Sequence, residues 1–307
     1  MASKRPVGRE EQRRMRPRHA NTNGDVFGGE ILRYMDDVGS ATAEQYAGED
    51  VVTASINRMS FDEPVDTDDL LILDSQVDYV GDTSITVSVD VYAEEVQTGN
   101  RRQTASAYLT YVAEDGNGSV QVPDLDLQTQ EEQERYREAV KAKKEAVTHA
   151  QGSGLPEPDA WDVESVRRMR PRHAGSNDRI LGGEILGVMD ETASIAAERY
   201  AGEDVVTVSL DTMSFEEPVF TDDLLKMNAS VDYVGTSSMV IAVDVQAEDA
   251  QTGTERQTGS AYLTFVALDD SGNPVEIDDL HPQTQVEQKR YQEAEQWRDR
   301  VLDDLDG

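Results

Sequence analysis

Arg14-Met15-Arg16-Pro17-Arg18-His19-Ala20 returns unchanged as Arg168-Met169-Arg170-Pro171-Arg172-His173-Ala174, 154 residues later. The stretch that each heptapeptide opens decides the fold. Residues 14–113 lie on 168–267 at that constant offset without a gap, and about three positions in five are identical. Met59-Ser60-Phe61 recurs as Met213-Ser214-Phe215, and Asp78-Tyr79-Val80-Gly81 as Asp232-Tyr233-Val234-Gly235. A period this long, present twice, is a duplicated domain rather than a solenoid. A charged helical stretch follows each copy, from Gln128 and from Gln283. Gln151-Gly152-Ser153-Gly154-Leu155-Pro156-Glu157-Pro158 has the composition of a linker. The chain therefore divides into an N-terminal domain over 8–147, a linker over 148–160 and a C-terminal domain over 161–307.

Each copy has one plan. Gly28-Gly29-Glu30 opens a stretch to about Tyr46 in which Ile31, Leu32, Met35, Gly39 and Ala43 fall at helical spacing. Ala47-Gly48 closes it with a C-terminal glycine. The duplicate predicts a second helix near 182–200. Strand-like runs follow at Val51–Phe61, Leu70–Val80, Ser84–Tyr92 and Gln103–Val112, with Ile85, Val87, Val89 and Val91 alternating with polar residues. One long helix followed by an antiparallel meander predicts an α+β layer, the sheet wrapping the helix and burying its apolar stripe.

Composition excludes several classes. The 307 residues hold 62 Asp+Glu against 28 Lys+Arg, a formal net charge of −34, and only six of those bases are Lys. A chain this acidic is repelled by phosphate backbones, so no nucleic-acid partner is expected. Without Cys there is no disulfide, thiolate nucleophile or Cys-ligated zinc. No apolar run is long enough to span a membrane, and the N-terminus lacks the apolar stretch of a secretory signal, so a cytoplasmic location is expected. High acid, scarce Lys and few large aromatics together resemble proteins from salt-loving organisms.

The motif His19-Ala20-Asn21-Thr22-Asn23-Gly24-Asp25-Val26-Phe27-Gly28-Gly29, then Met35-Asp36 on the helix, resembles the hotdog-fold acyl-CoA thioesterases. It is similar in particular to acyl-CoA hydrolases carrying two hotdog domains on one chain. The resemblance continues through Ser60-Phe61 and Pro64 to the last strand in both halves. It implies two domains side by side with sheets joined edge to edge, acyl-CoA as substrate and no cofactor beyond the CoA that the substrate carries. It also implies further assembly into a homo-oligomer, with a trimer of tandem chains as one form.

Thioester hydrolysis needs a polarised carbonyl, an activated water and a place for the leaving thiolate. No Cys and no Gly-x-Ser-x-Gly elbow exist, and His19, His149, His173 and His281 are not at metal spacing, which leaves a carboxylate route. Asp190 lies on the apolar stripe of its helix near Leu186, Met189 and Ala193, where an unpartnered carboxylate is costly. The resemblance makes it the general base for water or the direct nucleophile. Gly28 and Gly29 start the first helix, whose unpaired N–H groups suit an oxyanion; close packing explains a glycine pair equally well. Asn21 supplies a side-chain amide, or is a loop cap. Ser194, one turn after Asp190, holds the water, or is a small packing residue. Arg102 with Thr104, and Arg256 with Thr258, are candidates for the phosphates of CoA. His19 and His173 read as structural hydrogen-bonding groups.

The copies differ at the motif. Asn21 and Gly24 are replaced by Gly175 and Asp178, while Asp36 and Asp190 are both kept. In hotdog pairs the glycine turn comes from one domain and the acid from the other. Asn21 and Gly28 with Asp190 then form a complete site, with Gly29 beside it for the substrate; Gly175 and Gly182 with Asp36 form one that lacks the amide. Two other functions compete. A non-catalytic acyl-CoA or fatty-acid sensor would bind without turnover, and the Asn21/Asp190 pair speaks against it. An enoyl-CoA hydratase would show Asp-x-x-x-x-His, whereas Ala41 and Ile195 stand at those places.

The charge generates the first test. Self-repulsion is screened at molar salt, where the Debye length falls to about 3 Å. The thermal midpoint should rise by on the order of 10 °C between about 0.1 M and about 2 M KCl. An unchanged midpoint would mean that the acids are compensated locally.

Overall fold

The computed structural model describes residues 3–20, 24–150, 158, 160–175 and 178–305. Most of the linker expected over 148–160, namely 151–157 and 159, lies outside the described residues. The first half runs β1 (Gly8–Arg14), α1 (Gly28–Ala47), β2 (Asp50–Phe61), β3 (Leu70–Val80), β4 (Ser84–Glu94), β5 (Arg101–Glu114) and α2 (Gln130–Ala150). The second half repeats this as β6 (Val163–Arg168), α3 (Gly182–Ala201), β7 (Asp204–Leu210), β8 (Met213–Ser214), β9 (Leu224–Val234), β10 (Ser238–Glu248), β11 (Glu255–Leu268) and α4 (Gln285–Leu305). The apolar stripe of α1 is Ile31, Leu32, Met35, Val38, Ala43 and Tyr46, all buried. Gly48 (φ 79°) and Gly202 (φ 70°) end α1 and α3 in the left-handed conformation that glycine tolerates.

All eleven strands form one sheet, in the order β1-β3-β4-β5-β2-β7-β11-β10-β9-β6, with β8 beside β2. This corrects the simple meander expected from the sequence. β3, β4 and β5 do follow one another, but β2 lies against β5 instead of β3, and β1 caps the far edge. The displacement leaves the outer edge of β2 for the other half of the chain. There Met59 pairs with Leu210 and Ser60 with Ser209, while Ile56 pairs with Met213 and Ser55 with Ser214. The 154-residue offset carries Met59–Leu210 onto Met213–Ile56, so the junction has a pseudo-two-fold register. Two edges that would otherwise be open are thereby closed.

The central helices lie on one face of this sheet, and a single hydrophobic core runs through both halves. It includes Leu32, Met35, Leu73, Val87 and Leu109 from the first, and Leu186, Met189, Met227, Ile241 and Leu263 from the second. Each such buried side chain contributes about 1.5–3 kcal/mol. Val240 and Ile241 are neighbours on β10 and point to opposite faces. Ile241 joins the central core, while Val240 joins Tyr233, Ala294 and Trp297 under α4. Among the described residues no helix is long and apolar enough to cross a membrane.

α2 and α4 are each tied to the sheet by one ion pair. Arg135 Nε donates to Asp78 Oδ1 at 2.9 Å, and Arg290 Nη2 lies 2.9 Å from Asp232 Oδ2. The second pair is almost dry, with side-chain exposures of 5% and 3%, whereas Arg135 remains 31% exposed. Removing one partner of a buried pair strands the other charge, at a cost of about 3–5 kcal/mol. Arg290→Ala should therefore destabilise the chain by about that much, and by more than Arg135→Ala. Chemical unfolding in molar KCl checks this; equal losses would overturn the ranking.

Candidate active site

Asp36 and Asp190 stand two turns into α1 and α3, and are 1% and 0% exposed. The helices approach across the pseudo-two-fold axis at near backbone contact, and glycine permits it. A Cβ on Gly29 would lie 3.0 Å from Gly187 O, and one on Gly183 would lie 3.0 Å from the Cα of Arg33. The Gly29 N–H consequently donates to Asp190 Oδ2 at 2.7 Å, and the Gly183 N–H donates to Asp36 Oδ2 at 2.7 Å. Each carboxylate is thus held by the first turn of the other half's helix, where unpaired amides and the helix dipole favour an anion.

Gly28 packs against strand instead. A Cβ there would meet Thr207 Oγ1 at 2.9 Å and Asp190 Oδ2 at 3.2 Å; Gly182 meets Thr53 in the same way. The packing reading of the glycine pair therefore describes real contacts. One of the amides expected to face a thioester oxygen, that of Gly29, is engaged by Asp190. Thr207 Oγ1 donates to Asp190 Oδ1 at 2.7 Å, and Thr53 Oγ1 to Asp36 Oδ1 at 2.8 Å. These threonines are not among the motif's candidates. A signal existed: both follow an identical Val-Val, 17 residues after the aspartate.

Asn21 lies outside the described residues. Ser194 donates its hydroxyl to Glu191 O at 3.0 Å, within its own helix. The counterpart Ser40 does the same with Asp37 O and lines an interdomain cavity of about 360 Å³, bounded also by Thr53, Gly175, Leu181, Gly182 and Phe215. The half-site expected to lack an amide thus still borders an open volume. Arg179, where the first copy has Asp25, lies 2.7 Å from Glu114 on that cavity's wall. Asp178 adopts φ 57° where Gly24 has φ 92°, so the loop keeps its left-handed residue without the glycine.

Of the candidate phosphate contacts the arginines are ion-paired and the threonines are buried. Arg102 Nη2 donates to Asp69 Oδ2 at 2.7 Å and to Pro64 O at 2.9 Å, and Arg256 is paired with Asp223. Thr104 and Thr258 are fully buried. Each Arg ties the loop before β3 or β9 to the following hairpin through one guanidinium nitrogen and stays partly exposed, whereas the threonines have no surface to meet a phosphate. His19 and His173 accept the N–H of Arg16 and Arg170 at Nδ1, both at 3.2 Å, and close the short turns Pro17–His19 and Pro171–His173. Among the described residues no group of three His, Cys, Asp or Glu is placed to hold a metal.

Burial raises both carboxyls. Asp190 is pushed up to about 6, opposed by the Thr207 hydroxyl, the Gly29 amide and the charge of Arg33. Asp36 is raised by the same desolvation, opposed by Gly183, Thr53 and the Tyr111 hydroxyl. Arg33 breaks the symmetry, because its counterpart in α3 is Gly187 and its guanidinium lies against that glycine's backbone.

The thioesterase superfamily model matches residues 23–100 and 178–254. The chain is similar to an acetyl-coenzyme A thioesterase of Rattus norvegicus, at 26% identity over 303 residues, which is 91% of this chain and 54% of that relative. It is 27% identical over 302 residues to a cytosolic acyl coenzyme A thioester hydrolase of Mus musculus, covering 91% of this chain and 79% of the other. The chain thus spans about half the length of the first relative and about four fifths of the second. A crystal structure of an apo-hexameric acyl-CoA thioesterase shows 32% identity and a TM-score of 0.47, covering 49% of this chain and 98% of the other.

The raised Asp190 carboxyl makes stability depend on pH. Its value in the fold, about 6, lies above the ordinary 3.8, so the folded chain binds the proton more tightly than the unfolded chain. Its stability contribution therefore grows as pH falls through 6 towards 4 and is lost as pH rises. Unfolding of wild type and Asp190→Asn in molar KCl should show the variant gaining about 3 kcal/mol on wild type between pH 4 and pH 8. A constant difference would refute the shift.

Proposed function

The chain belongs to the thioesterase superfamily, and on that premise we propose that it hydrolyses acyl-CoA to a free carboxylic acid and CoA. The working site combines Gly28 and Gly29 at the start of α1, the amide of Asn21, Thr207, and Asp190 of α3. One observation carries this reading: a fully buried carboxylate is pinned between the helix end of the other half and a threonine, with a carboxyl near 6. Such a group is ionised at neutral pH and still basic enough to take a proton.

Asp190 removes the proton of a water that attacks the acyl carbon. The carbonyl oxygen, gaining charge, is met by the first N–H of α1, that of Gly28, and by the Asn21 amide. The C–S bond breaks, the sulfur leaves with its electron pair, and the proton on Asp190 passes to it. The same geometry serves direct attack by Asp190 through a mixed anhydride, and only that route places solvent oxygen-18 in the Asp190 carboxyl during single turnover. No cofactor is required in either. The chain is assigned to the cytoplasm and to a homo-oligomer, with a trimer of tandem chains as the specific form for light scattering in molar KCl.

The roles of the two aspartates separate by mutation. In a thiol-release assay over a panel of acyl-CoA lengths, Asp190→Ala should lose nearly all turnover and Asp36→Ala little. Asn21→Ala should lose about 10²–10³ in rate, the usual cost of one oxyanion donor. Equal losses from the two aspartates would mean two equivalent sites.

A further inference from the structure

The two copies differ at a pair of buried positions that the reaction above does not use. In the first half, Tyr111 on β5 donates its hydroxyl to Asp36, 3.2 Å from Oδ1 and 3.2 Å from the main-chain oxygen of the same residue. Desolvation holds the phenol well above its ordinary pKa, so it stays a donor. The oxygen fits because residue 39, three positions after Asp36, is glycine; a Cβ there would overlap it. At the same offset of 154 the second half has Phe265 and Ala193, both fully buried. The hydroxyl and the space for it are lost together.

The consequence is a difference in how far the carboxylates are occupied. Among the described residues, Asp36 accepts from Gly183 N–H, Thr53 and Tyr111, whereas Asp190 accepts from Gly29 N–H and Thr207 only. A carboxylate has about four lone-pair sites. Each further donor stabilises the anion and weakens it as a base.

We propose that Ala193 and Phe265 are positioning residues that keep Asp190 one donor short and so the stronger base of the two, while Gly39 and Tyr111 hold Asp36 as the weaker one. This rests on the assignment of Asp190 as the reacting carboxylate. It is independent of the loop difference at Gly175: restoring an amide there leaves Asp36 with its third donor.

The test transplants the first half's pair into the second. Phe265→Tyr with Ala193→Gly, in the full chain and in molar KCl, is compared with Ala193→Gly alone. The double variant should lose about ten-fold or more in kcat, with KM within about two-fold. The acid limb of its kcat/KM profile should move to lower pH, because the added donor favours the anion. Unchanged kcat and an unmoved limb overturn the proposal. Asp190→Ala in the same series separates the two failures. If it abolishes turnover while the double variant matches its background, only the role of the pair falls; if it retains turnover, the assignment of Asp190 falls. Should the double variant not fold, carbon-13 titration of the Asp36 carboxyl in Tyr111→Phe decides. Loss of the hydroxyl should raise that carboxyl, and no movement overturns the proposal.

Discussion

Two carboxylates sit at the bottom of an apolar interface, and each takes one donor from the other half of the chain. Burying an ionised group without donors costs several kcal/mol, so the fold has to bring donors to it. Here they are the Gly29 amide for Asp190 and the Gly183 amide for Asp36, each at 2.7 Å and each from the opposite helix. Much else follows from that requirement. The helices have to touch at their backbones, which needs glycine at 29, 183 and 187. The sheets have to be brought into register beneath them, which the β2–β7 and β2–β8 pairings do. A lone half would have a carboxylate without its amide and an open edge on β2 or β7.

Placing both halves on one chain relaxes the symmetry that two identical subunits would impose. The axis between α1 and α3 has room for one guanidinium; Arg33 takes it because Gly187 yields the volume, and a second arginine would collide with the first and repel it. Tyr111 with Gly39 against Phe265 with Ala193 is a second volume-compensated exchange. Arg179 against Asp25 reverses the charge at the equivalent loop position. The first two exchanges alter the surroundings of one carboxylate and leave its partner's nearly untouched, which is the asymmetry that the proposed single reactive acid relies on.

The acidic composition reaches the interior as a pattern of arginine pairs. Asp69, Asp78, Asp223 and Asp232 are buried, and their cations are Arg102, Arg135, Arg256 and Arg290. A planar guanidinium meets a carboxylate at two points and is more weakly hydrated than an ammonium, so it serves buried pairs better. Four of the 28 bases are committed to these buried acids.

The sequence alone determined what repeats. A constant offset, helical spacing after Gly28-Gly29 and alternation along Ser84–Tyr92 are local properties, so the duplication, both central helices and four strands of the first half were legible within a residue or two, whereas the counterpart of β2 in the second half divides into β7 and β8. Asp36 and Asp190 were legible because a charge on an apolar stripe violates the pattern around it. The strand order was not, since the position of β2 depends on an edge that only the other half supplies. β1 and β6 are short edge strands of alternating exposed and half-buried residues, too polar to announce themselves. Thr53 and Thr207 sit on strands as ordinary threonines until the helices dock, and the pairing of Arg102 with Asp69 and of Arg256 with Asp223 shows only once the loops are in place. Which donors reach which acid is a matter of distance between segments about 150 residues apart, and only the tertiary structure sets that distance.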